Sequence, residues 1–344
     1  MASASGGSEN KNIQAPDATT QSIVVERLVK RYGEVEAVAG ISFSVAPGEI
    51  VGFLGPNGAG KSTTMKILTC FMAATSGEAK VAGFDVYTES EQVRARIGYL
   101  PENVPLYDEM LVHDYLMFVA ELRQVPKGQR RQRVREAIEM TGLEKMYTRP
   151  VGELSKGYRQ RVGLAQAIVH GPDVVILDEP TTGLDPNQII EIRDLIKAIG
   201  REKTVLFSTH IMQEVAAVCD RIIIIDAGEI VADGTLDELS AEVARGAGFE
   251  VSLPDEVSRE EVLDALGPLD GLSVERLERR GEDVIWSARA RDNRALRVAL
   301  LQAGSHGLEL RAFQPFRADL ERVFRHYTVA RAAEHVSASA AEEE

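Results

Sequence analysis

Gly55-Pro56-Asn57-Gly58-Ala59-Gly60-Lys61-Ser62-Thr63 fits the pattern G-x-x-x-x-G-K-[ST], in which a glycine-rich turn cradles phosphate groups. The apolar run 49–54 precedes this loop and predicts a strand, while residues 64–68 after it predict a helix. Between a strand and a helix, successive backbone N–H groups can converge on an anion. Lys61 can then reach the β- and γ-phosphates, and the Ser62 hydroxyl can ligate Mg²⁺. The stretch therefore predicts a phosphate site, and an ordinary glycine-rich turn is the alternative.

Composition sets bounds on the class of protein. The chain has 344 residues, of which 44% are hydrophobic, so one to three domains with real cores are expected. A net charge of −14 argues against a general nucleic-acid binder. The first twenty residues are polar without an apolar core, so no secretory signal is expected. Only two cysteines occur, Cys70 and Cys219, far apart and outside any metal-ligand spacing; a reduced cytosolic location and buried thiols fit best.

The order of apolar and helical segments predicts an α/β domain over residues 22–240, after a disordered leader over residues 1–21. Its clearest strands are 50–54, 174–177, 204–208 and 221–226, in a largely parallel sheet. Between about 108 and 166 the chain reads as helical, with apolar residues at three- and four-residue intervals in 111–122 and 131–141. This predicts a helical subdomain, at about 104–168, inserted into the α/β core.

A second unit is predicted over residues 248–328. Its segments read as strand 249–253, helix 258–266, strand 272–277, strand 283–288, helix 293–303 and strand 308–312. This βαββαβ order predicts a small α+β module of the ferredoxin-like kind. A further helix over 318–326 follows, Trp286 is expected to be buried, and the tail 329–344, rich in Ala, Ser and Glu, is expected to be disordered.

The run 173–180, Asp-Val-Val-Ile-Leu-Asp-Glu-Pro, is an apolar strand that ends in two carboxylates. Strand direction brings Asp178 and Glu179 to the carboxyl edge of the sheet, beside the phosphate loop, where α/β folds bind ligands. A carboxylate there can hold Mg²⁺ through water, and the next one can polarise an attacking water. Alone this pattern is weak, but together with an upstream phosphate loop it is strong.

Two further segments narrow the kind of hydrolase. Leu154-Ser155-Lys156-Gly157-Tyr158-Arg159-Gln160 leads into a predicted helix over 162–169, and Ser155 is a suitable N-cap whose hydroxyl could meet an anion. His210 ends the strand that follows the Asp178–Glu179 strand by one β-α unit. A lone histidine at a strand end is more often structural, but this position puts His210 beside the same phosphates.

Taken together, these motifs make residues 22–236 resemble the ATP-binding subunit of an ABC transporter. The phosphate loop matches Walker A, 154–160 the signature loop, 174–179 Walker B, 183–185 the D-loop and His210 the switch histidine. The resemblance implies catalytic roles for Glu179, His210 and Lys61, and metal contacts from Ser62, Asp178 and Glu102. It implies nucleotide contacts for Tyr32, stacking on adenine, and for Gly55, Pro56, Asn57, Gly58, Ala59, Gly60, Lys61, Ser62, Thr63, Glu102, Ser155, Gly157, Asp178 and Asp185.

The chain departs from the family pattern at three positions. Glu102 stands where the family has its Q-loop glutamine; a carboxylate can accept from a metal-bound water but adds negative charge near the γ-phosphate. Lys156 and Tyr158 stand where glycine and glutamine are commoner, whereas Ser155 and Gly157 are kept. The string 97–107 and the C-terminal module resemble the ABC-2 exporter branch, particularly gliding-motility-type ATPases.

The resemblance implies a head-to-tail dimer in which ATP and Mg²⁺ lie between one subunit's Walker A loop and the other's signature loop. Bound nucleotide then stabilises the dimer, since its contacts with both subunits exist only in the closed state. The partners that the resemblance implies are a second ATPase subunit, expected to be a second copy of this chain in a homodimer, and a separate ABC-2-type permease. The chain is expected to lie in the cytoplasm at the inner face of the cell membrane, and no nucleic acid is expected. A soluble ABC ATPase of DNA repair or translation is the alternative, and a non-catalytic ABC-like module the third.

Overall fold

The computed structural model describes residues 21–243 and, beyond them, residues 247–254, 257, 258, 260–262, 273–280, 283–290, 312–315, 321, 323–325, 327 and 328. Contacts divide the chain into two units, Met1–Ile230 and Val231–Glu344, which are described separately. The predicted leader, apart from Gln21, and the predicted tail lie outside the described residues. The predicted domain limit at residue 240 stays a prediction.

The first unit alternates strands and helices, and its last strand runs past the unit's end. In chain order the elements are β1 (Ile23–Tyr32), β2 (Val35–Val45), β3 (Ile50–Leu54), α1 (Lys61–Leu68), β4 (Ser76–Val81), β5 (Phe84–Asp85), α2 (Ser90–Arg96), β6 (Ile97–Leu100), α3 (Val112–Leu122), α4 (Arg130–Thr141), α5 (Lys156–Ile168), β7 (Val174–Asp178), α6 (Pro186–Gly200), β8 (Thr204–Thr209), α7 (Met212–Val218), β9 (Arg221–Asp226) and β10 (Glu229–Gly234).

The central sheet has the strand order β10-β9-β3-β8-β7-β6. Strands β9, β3, β8, β7 and β6 run parallel, as the sequence predicted. β3 and β7 are buried along their whole length, because a parallel sheet that is covered on both faces needs continuous apolar strands. Two predicted strands end one residue later than expected, at Asp178 and Thr209. The carboxyl ends of β3, β7 and β8 therefore meet at one edge, where Leu54 pairs with Thr209 and Asp178 with Ser208.

A second sheet in this unit was not predicted. Its order is β2-β1-β4-β5 and its pairs are antiparallel. The strand alternation is broken by register shifts between Val25 and Leu28 in β1, where Arg27 takes a φ of 47°. Such bulges move side chains to the other face, so the period-two pattern that identifies a half-buried strand is lost.

The helical block forms a separate core from α3, α4 and α5. Leu116, Val134 and Val162, one from each helix, are fully buried there. The predicted helices agree to within one residue, since Leu111 is the N-cap of α3 and α4 starts at Arg130. α5 starts six residues before the predicted position, because the polar residues 156–161 follow the N-cap at Ser155 directly. The inserted helical subdomain is thus present.

The second unit contains α8 (Leu236–Val243) and four strands, β11 (Ala247–Pro254), β12 (Ser273–Arg280), β13 (Asp283–Ala290) and β14 (Ala312–Pro315). The sheet order is β12-β13-β11-β14 with antiparallel pairs, which agrees with a βαββαβ module. Trp286 is buried, as expected. Of the helix predicted over 258–266 only 260–262 are described as helical. The helix over 293–303 and most of the strand over 308–312 lie outside the described residues.

None of the described helices has both the length and the apolar character needed to cross a bilayer.

Candidate active site

The phosphate loop joins β3 to α1 at the carboxyl edge of the central sheet. Two positions of the loop require glycine, each because a different backbone group lies too close for a side chain. A Cβ on Gly55 would lie 2.3 Å from the carbonyl oxygen of Ile225, and one on Gly60 would lie 2.4 Å from that of Ala37. Gly60 also has a φ of 103°, which L side chains rarely adopt. Close backbone packing therefore fixes the loop's path over the sheet, with the N-terminus of α1 facing outward.

Lys61 is the first residue of α1, and its side chain is buried at this edge. Its Nζ donates to the carbonyl oxygens of Gly55 at 2.8 Å and Pro56 at 3.1 Å. It also lies 3.5 Å from Oε1 of Glu179. A buried ammonium held by these groups places one positive charge inside the loop, where the charge of a phosphate would be concentrated.

Ser62 and Asp178, two of the residues predicted to hold a metal, are in direct contact. The Ser62 hydroxyl donates to Oδ1 of Asp178 at 2.9 Å, and the Ser208 hydroxyl donates to the same atom at 2.6 Å. The register of β7 and β8 explains the second bond, since Asp178 and Ser208 are paired residues. Burial and the negative charge of Asp178 raise the pKa of Tyr99 on the adjacent β6. Sequence reasoning missed Ser208, although its position two residues before His210 was a usable signal.

Glu179 turns out of β7 with a φ of 50°, a left-handed conformation that is unusual for a glutamate. Its backbone N–H donates to the Ser208 hydroxyl at 3.0 Å. Its carboxylate Oε2 lies 2.9 Å from Nδ1 of His210 and accepts from the Thr182 hydroxyl at 3.3 Å. The predicted pair Glu179 and His210 is therefore in hydrogen-bond contact. The carboxylate is 8% exposed and the imidazole 45% exposed, so the histidine forms the open side.

These side chains border an open cleft over the phosphate loop. The cleft is lined by Ala37, Asn57, Gly58, Gly60, Lys61, Ser62, Thr63, Glu102, Glu179, Thr182 and His210. Most of the predicted site residues thus come together on one face. Gly55 and Pro56 contribute carbonyls below it, and Ala59 and Asp178 are buried. Ala37 and Thr182 were not predicted, because neither belongs to the sequence patterns that were used.

Besides Gly55, Pro56, Ala59 and Asp178, which lie directly beneath the cleft, four further predicted residues do not line it: Tyr32, Ser155, Gly157 and Asp185. Tyr32, at the end of β1, is 47% exposed. Its hydroxyl donates to the sulfur of Met72 at 3.1 Å, and the Lys30 ammonium lies 5.4 Å from its ring centroid. An exposed aromatic ring held from one side in this way can offer its other face for stacking.

The signature loop forms the N-terminus of α5. Ser155 has the N-cap position, as predicted, but its side chain makes no capping hydrogen bond. Ser155 and Lys156 are exposed, whereas Gly157 is buried against the Gln188 side chain, which a Cβ at 157 would approach to 2.6 Å. The N-terminus of α5 therefore begins with two exposed residues, and neither Ser155 nor Gly157 lines the chain's own cleft.

Asp185 is the N-cap of α6. Its carboxylate accepts from the backbone N–H groups of Asn187 and Gln188 at 3.1 and 3.0 Å, and Pro186 starts the helix. Within one chain this residue therefore has a helix-capping role, which sequence reasoning did not assign to it.

The thiols carry no chemistry here. Burial raises the pKa of Cys70 to about 11, and burial together with Asp220 and Glu214 raises that of Cys219. Both cysteines are free and half-buried, so the thiols are less buried than the sequence predicted.

The donor set at the cleft suits Mg²⁺. Ser62, Asp178 and Glu102 offer only hydroxyl and carboxylate oxygens, and Mg²⁺ is usually held by one or two carboxylates together with substrate phosphates. Among the described residues there is no cluster of three or more His, Cys, Asp or Glu that could hold a metal by itself. The residues therefore fit a metal that arrives with a nucleotide.

Known proteins that resemble this chain are ATP-binding proteins of ABC transporters. Residues 38–182 match the family model described as ABC transporter. The chain is 33% identical over 307 residues to the linearmycin resistance ATP-binding protein LnrL of Bacillus subtilis, covering 88% of this chain and 97% of that protein. The chain belongs to the ABC transporter family. It is also 34% identical to the daunorubicin/doxorubicin resistance ATP-binding protein DrrA of Streptomyces peucetius, over 94% of this chain and 98% of that protein.

Solved ABC structures match the cassette part of the chain. The cbiO1 protein from Clostridium perfringens, part of an ABC transporter complex, has a TM-score of 0.60 and 30% identity, covering 64% of this chain and 91% of that one. A dimeric bacterial ABC transporter cassette has a TM-score of 0.57 and 27% identity, covering 62% of this chain and 98% of that one. The P-loop ABC ATPase fold predicted from the motifs is confirmed.

Proposed function

We propose that this chain is the ATP-binding and ATP-hydrolysing subunit of an ABC-2-type exporter. Two copies close head to tail on ATP and drive a separate membrane permease from its cytoplasmic face. The single observation that carries the proposal is the contact of Glu179 with His210 beside Lys61, because it brings a base, a polar partner and a cation to one phosphate loop. The family of relatives, named for drug resistance and for Nod factor export, supports the export role.

Hydrolysis follows from the positions of the cleft residues. Water attacks the γ-phosphorus and the bond between that phosphorus and the β,γ-bridging oxygen breaks, so ADP and phosphate leave. Glu179 orients the water and takes its proton, while His210 stabilises the γ-phosphate on the open side. Lys61 and the N–H groups of the loop stabilise the charge that develops. Ser62, Asp178 and Glu102 are the residues that would hold Mg²⁺, and the metal would supply positive charge to the phosphates.

The signature loop supports a composite site. Ser155 is exposed, and in the described part of the chain its hydroxyl caps no helix N–H. Since Ser155 and Gly157 do not line the chain's own cleft, a phosphate contact from them requires a second cassette. One of the matching structures is a dimeric ABC cassette. We therefore assign Ser155 and Gly157 to the ATP bound by the partner chain, with Asp185 at the same interface.

An aromatic patch supports the coupling role of the helical block. Tyr107 is 59% exposed and Phe118 is 41% exposed, and Tyr107 makes edge contacts with Phe118 and Tyr115 at centroid distances of 5.8 and 6.0 Å. The patch follows the Glu102 segment directly in the chain. A permease segment docked on it would sense movement of the cleft.

The hydrolysis proposal is tested with Glu179→Gln. Without the carboxylate the water loses its base, so we expect kcat to fall by roughly a hundredfold or more. ATP binding is kept, and size-exclusion chromatography with light scattering should show an ATP-dependent dimer. Glu153→Gln, an exposed glutamate in the turn before the signature loop, is the control and should match wild type. Wild-type turnover by Glu179→Gln would disprove the assigned role.

The coupling proposal is tested by co-purification. Tyr107→Ala and Phe118→Ala should weaken recovery of a membrane permease with the tagged chain while ATP binding stays unchanged. Tyr87→Ala removes a 78% exposed tyrosine elsewhere on the unit and serves as the control. If the wild-type chain sediments with ribosomes or DNA and never with a permease, the soluble ABC ATPase is the correct alternative.

A further inference from the structure

Glu214 on α7 is a charged residue that the mechanism so far does not use. It is 1% exposed. Each of its carboxylate oxygens accepts a hydrogen bond from a threonine, Oε1 from the Thr181 hydroxyl and Oε2 from the Thr209 hydroxyl, the latter at 2.8 Å. Both threonines are buried as well. The carboxylate thus joins two segments that come from different strands.

These two segments are the ones that carry the reacting side chains. Thr181 follows Glu179 by two residues, and Thr209 immediately precedes His210. The Thr209 hydroxyl also accepts from the backbone N–H of Ile211 at 3.0 Å, so it fixes the chain on both sides of His210. Glu214 therefore connects the turn after β7 with the end of β8 through two hydrogen bonds.

The geometry that needs this support is strained. Glu179 has a φ of 50°, and such a conformation persists when the surrounding structure holds it in place. The contact of 2.9 Å between Glu179 Oε2 and His210 Nδ1 depends on both turns at once. A shift of either turn would therefore separate the base from its partner.

Stability alone does not account for Glu214. Among the described residues no lysine, arginine or histidine forms an ion pair with it, and burying an unpaired carboxylate opposes folding unless its hydrogen bonds compensate. An apolar residue of similar size would fill the same space at lower cost. The two hydrogen bonds from the threonines therefore indicate a role for Glu214 in the site rather than in the stability of the core.

We propose that Glu214 is a positioning residue for ATP hydrolysis, holding Glu179 and His210 in register through Thr181 and Thr209. The inference rests on the proposed hydrolytic function. It extends to the partner-facing side, because the backbone N–H of Leu184 in the 183–185 loop donates to the Thr181 carbonyl at 3.2 Å. The hydrogen bonds of Glu214 and Thr181 therefore connect the loop expected at the dimer interface with His210, which is expected to contact the γ-phosphate.

The test compares Glu214→Gln, Thr209→Val and Thr209→Ser with Thr141→Val. Glutamine keeps the shape of Glu214, but its amide nitrogen cannot accept the second threonine bond. Thr141 is a buried threonine of α4 whose hydroxyl donates to Ala137, remote from the cleft, so it controls for loss of a buried hydroxyl. The measurements are kcat, the Kd of ATP, the melting temperature and the imidazole signals of the six histidines in a long-range ¹H–¹⁵N spectrum.

We expect Glu214→Gln and Thr209→Val to lower kcat about tenfold or more, since small misplacement of a catalytic group is costly. The Kd of ATP should stay within about threefold, the His210 signal should move, and Thr209→Ser should restore kcat. A Glu214→Gln kcat within about twofold of wild type overturns the inference. So does an unmoved His210 signal, or a kcat loss that Thr141→Val reproduces at equal melting temperature. A wild-type chain without ATPase activity would overturn the proposed function as well, whereas an active Glu214→Gln variant overturns the positioning role alone.

Discussion

Glu102 adds a negative charge to the cleft. It is exposed, lines the cleft with Lys61 and Glu179, and has a carboxylate where the family pattern has a neutral amide. A second carboxylate near a triphosphate repels it unless a metal or a cation intervenes. Glu102 therefore favours a nucleotide that arrives with its Mg²⁺.

The first prediction concerns Glu102→Gln. Removing the charge should strengthen binding of metal-free ATP by roughly three- to tenfold, as expected for about 1 kcal/mol of repulsion at an exposed site. Binding of Mg²⁺-ATP should change less, because the substitution also removes a carboxylate that would hold the metal. ATPase activity should not be lost. Calorimetric titration with Mg²⁺ and with a chelator measures both affinities, and Glu109→Gln, an exposed carboxylate of the following segment that does not line the cleft, is the control. A large fall in kcat would show that the carboxylate itself is required.

Some residues of this site could be predicted from the sequence, and others could not. Lys61, Ser62, Asp178, Glu179 and His210 were assigned because their roles follow from motif order and strand direction, and all of them meet at the cleft or directly beneath it. Residues that act through neighbours, such as Glu214, escaped because a buried carboxylate on a helix has no local pattern. Only the pairing of strands that are distant in sequence brings their partners together.

At the scale of elements, α6 depends on its first residues. Asp185 caps it with two backbone hydrogen bonds, and Pro186 fits the first turn because it has no N–H to satisfy. The same aspartate is also assigned to the dimer interface, so its two roles need to be separated.

Asparagine can cap a helix as well as aspartate does, whereas alanine cannot. Asp185→Ala should therefore lower the free energy of unfolding by about 1 kcal/mol, and Asp185→Asn should leave it nearly unchanged. Urea unfolding followed by circular dichroism measures both. A loss of ATPase activity in Asp185→Asn at unchanged stability would isolate the interface role, and equal stability of Asp185→Ala and wild type would contradict the capping role.

Some elements could be predicted from their pattern and others could not. Strand β9 was predicted with its exact limits because its four isoleucines form one buried apolar run. The antiparallel sheet was missed because β1 and β4 mix charged residues with apolar ones and β1 carries a bulge. The start of α5 was missed because Lys156 to Arg161 are mostly polar, so the helical period begins to show only with Val162.

At the scale of the whole molecule, His170 links stability to pH. It follows α5 and is half-buried, and its Nε2 lies 2.9 Å from the carbonyl oxygen of Ile97. Burial, with the positive charge of Arg123 next, lowers the pKa of His170 to about 4 from 6.5. The folded chain therefore keeps this imidazole neutral under conditions in which the unfolded chain binds a proton.

The sign of the pH effect follows from that difference. The contribution of neutral His170 to the free energy of unfolding is fully present above pH 6.5, and it is lost as the pH falls toward 4. Between about pH 7.5 and about pH 5 the loss should be about 2 kcal/mol in the free energy of unfolding. His170→Asn should flatten this part of the curve in urea titrations, while His113→Asn, an exposed histidine, should not. An unchanged slope in His170→Asn would contradict the expected proton linkage.

Strand β3, which carries the phosphate loop, pairs with β8 and β9 only, so Val51 meets Leu206 and Arg221. Its neighbours in the sheet are synthesised more than 150 residues later. While the ribosome is still making the helical block, strand β3 therefore has neither of its neighbouring strands to pair with. Non-local pairing of this kind is slow, because a long loop of chain must close before the strands meet. Competence to bind nucleotide thus arrives late in biosynthesis, and the nascent apolar strand needs protection from aggregation until β8 emerges.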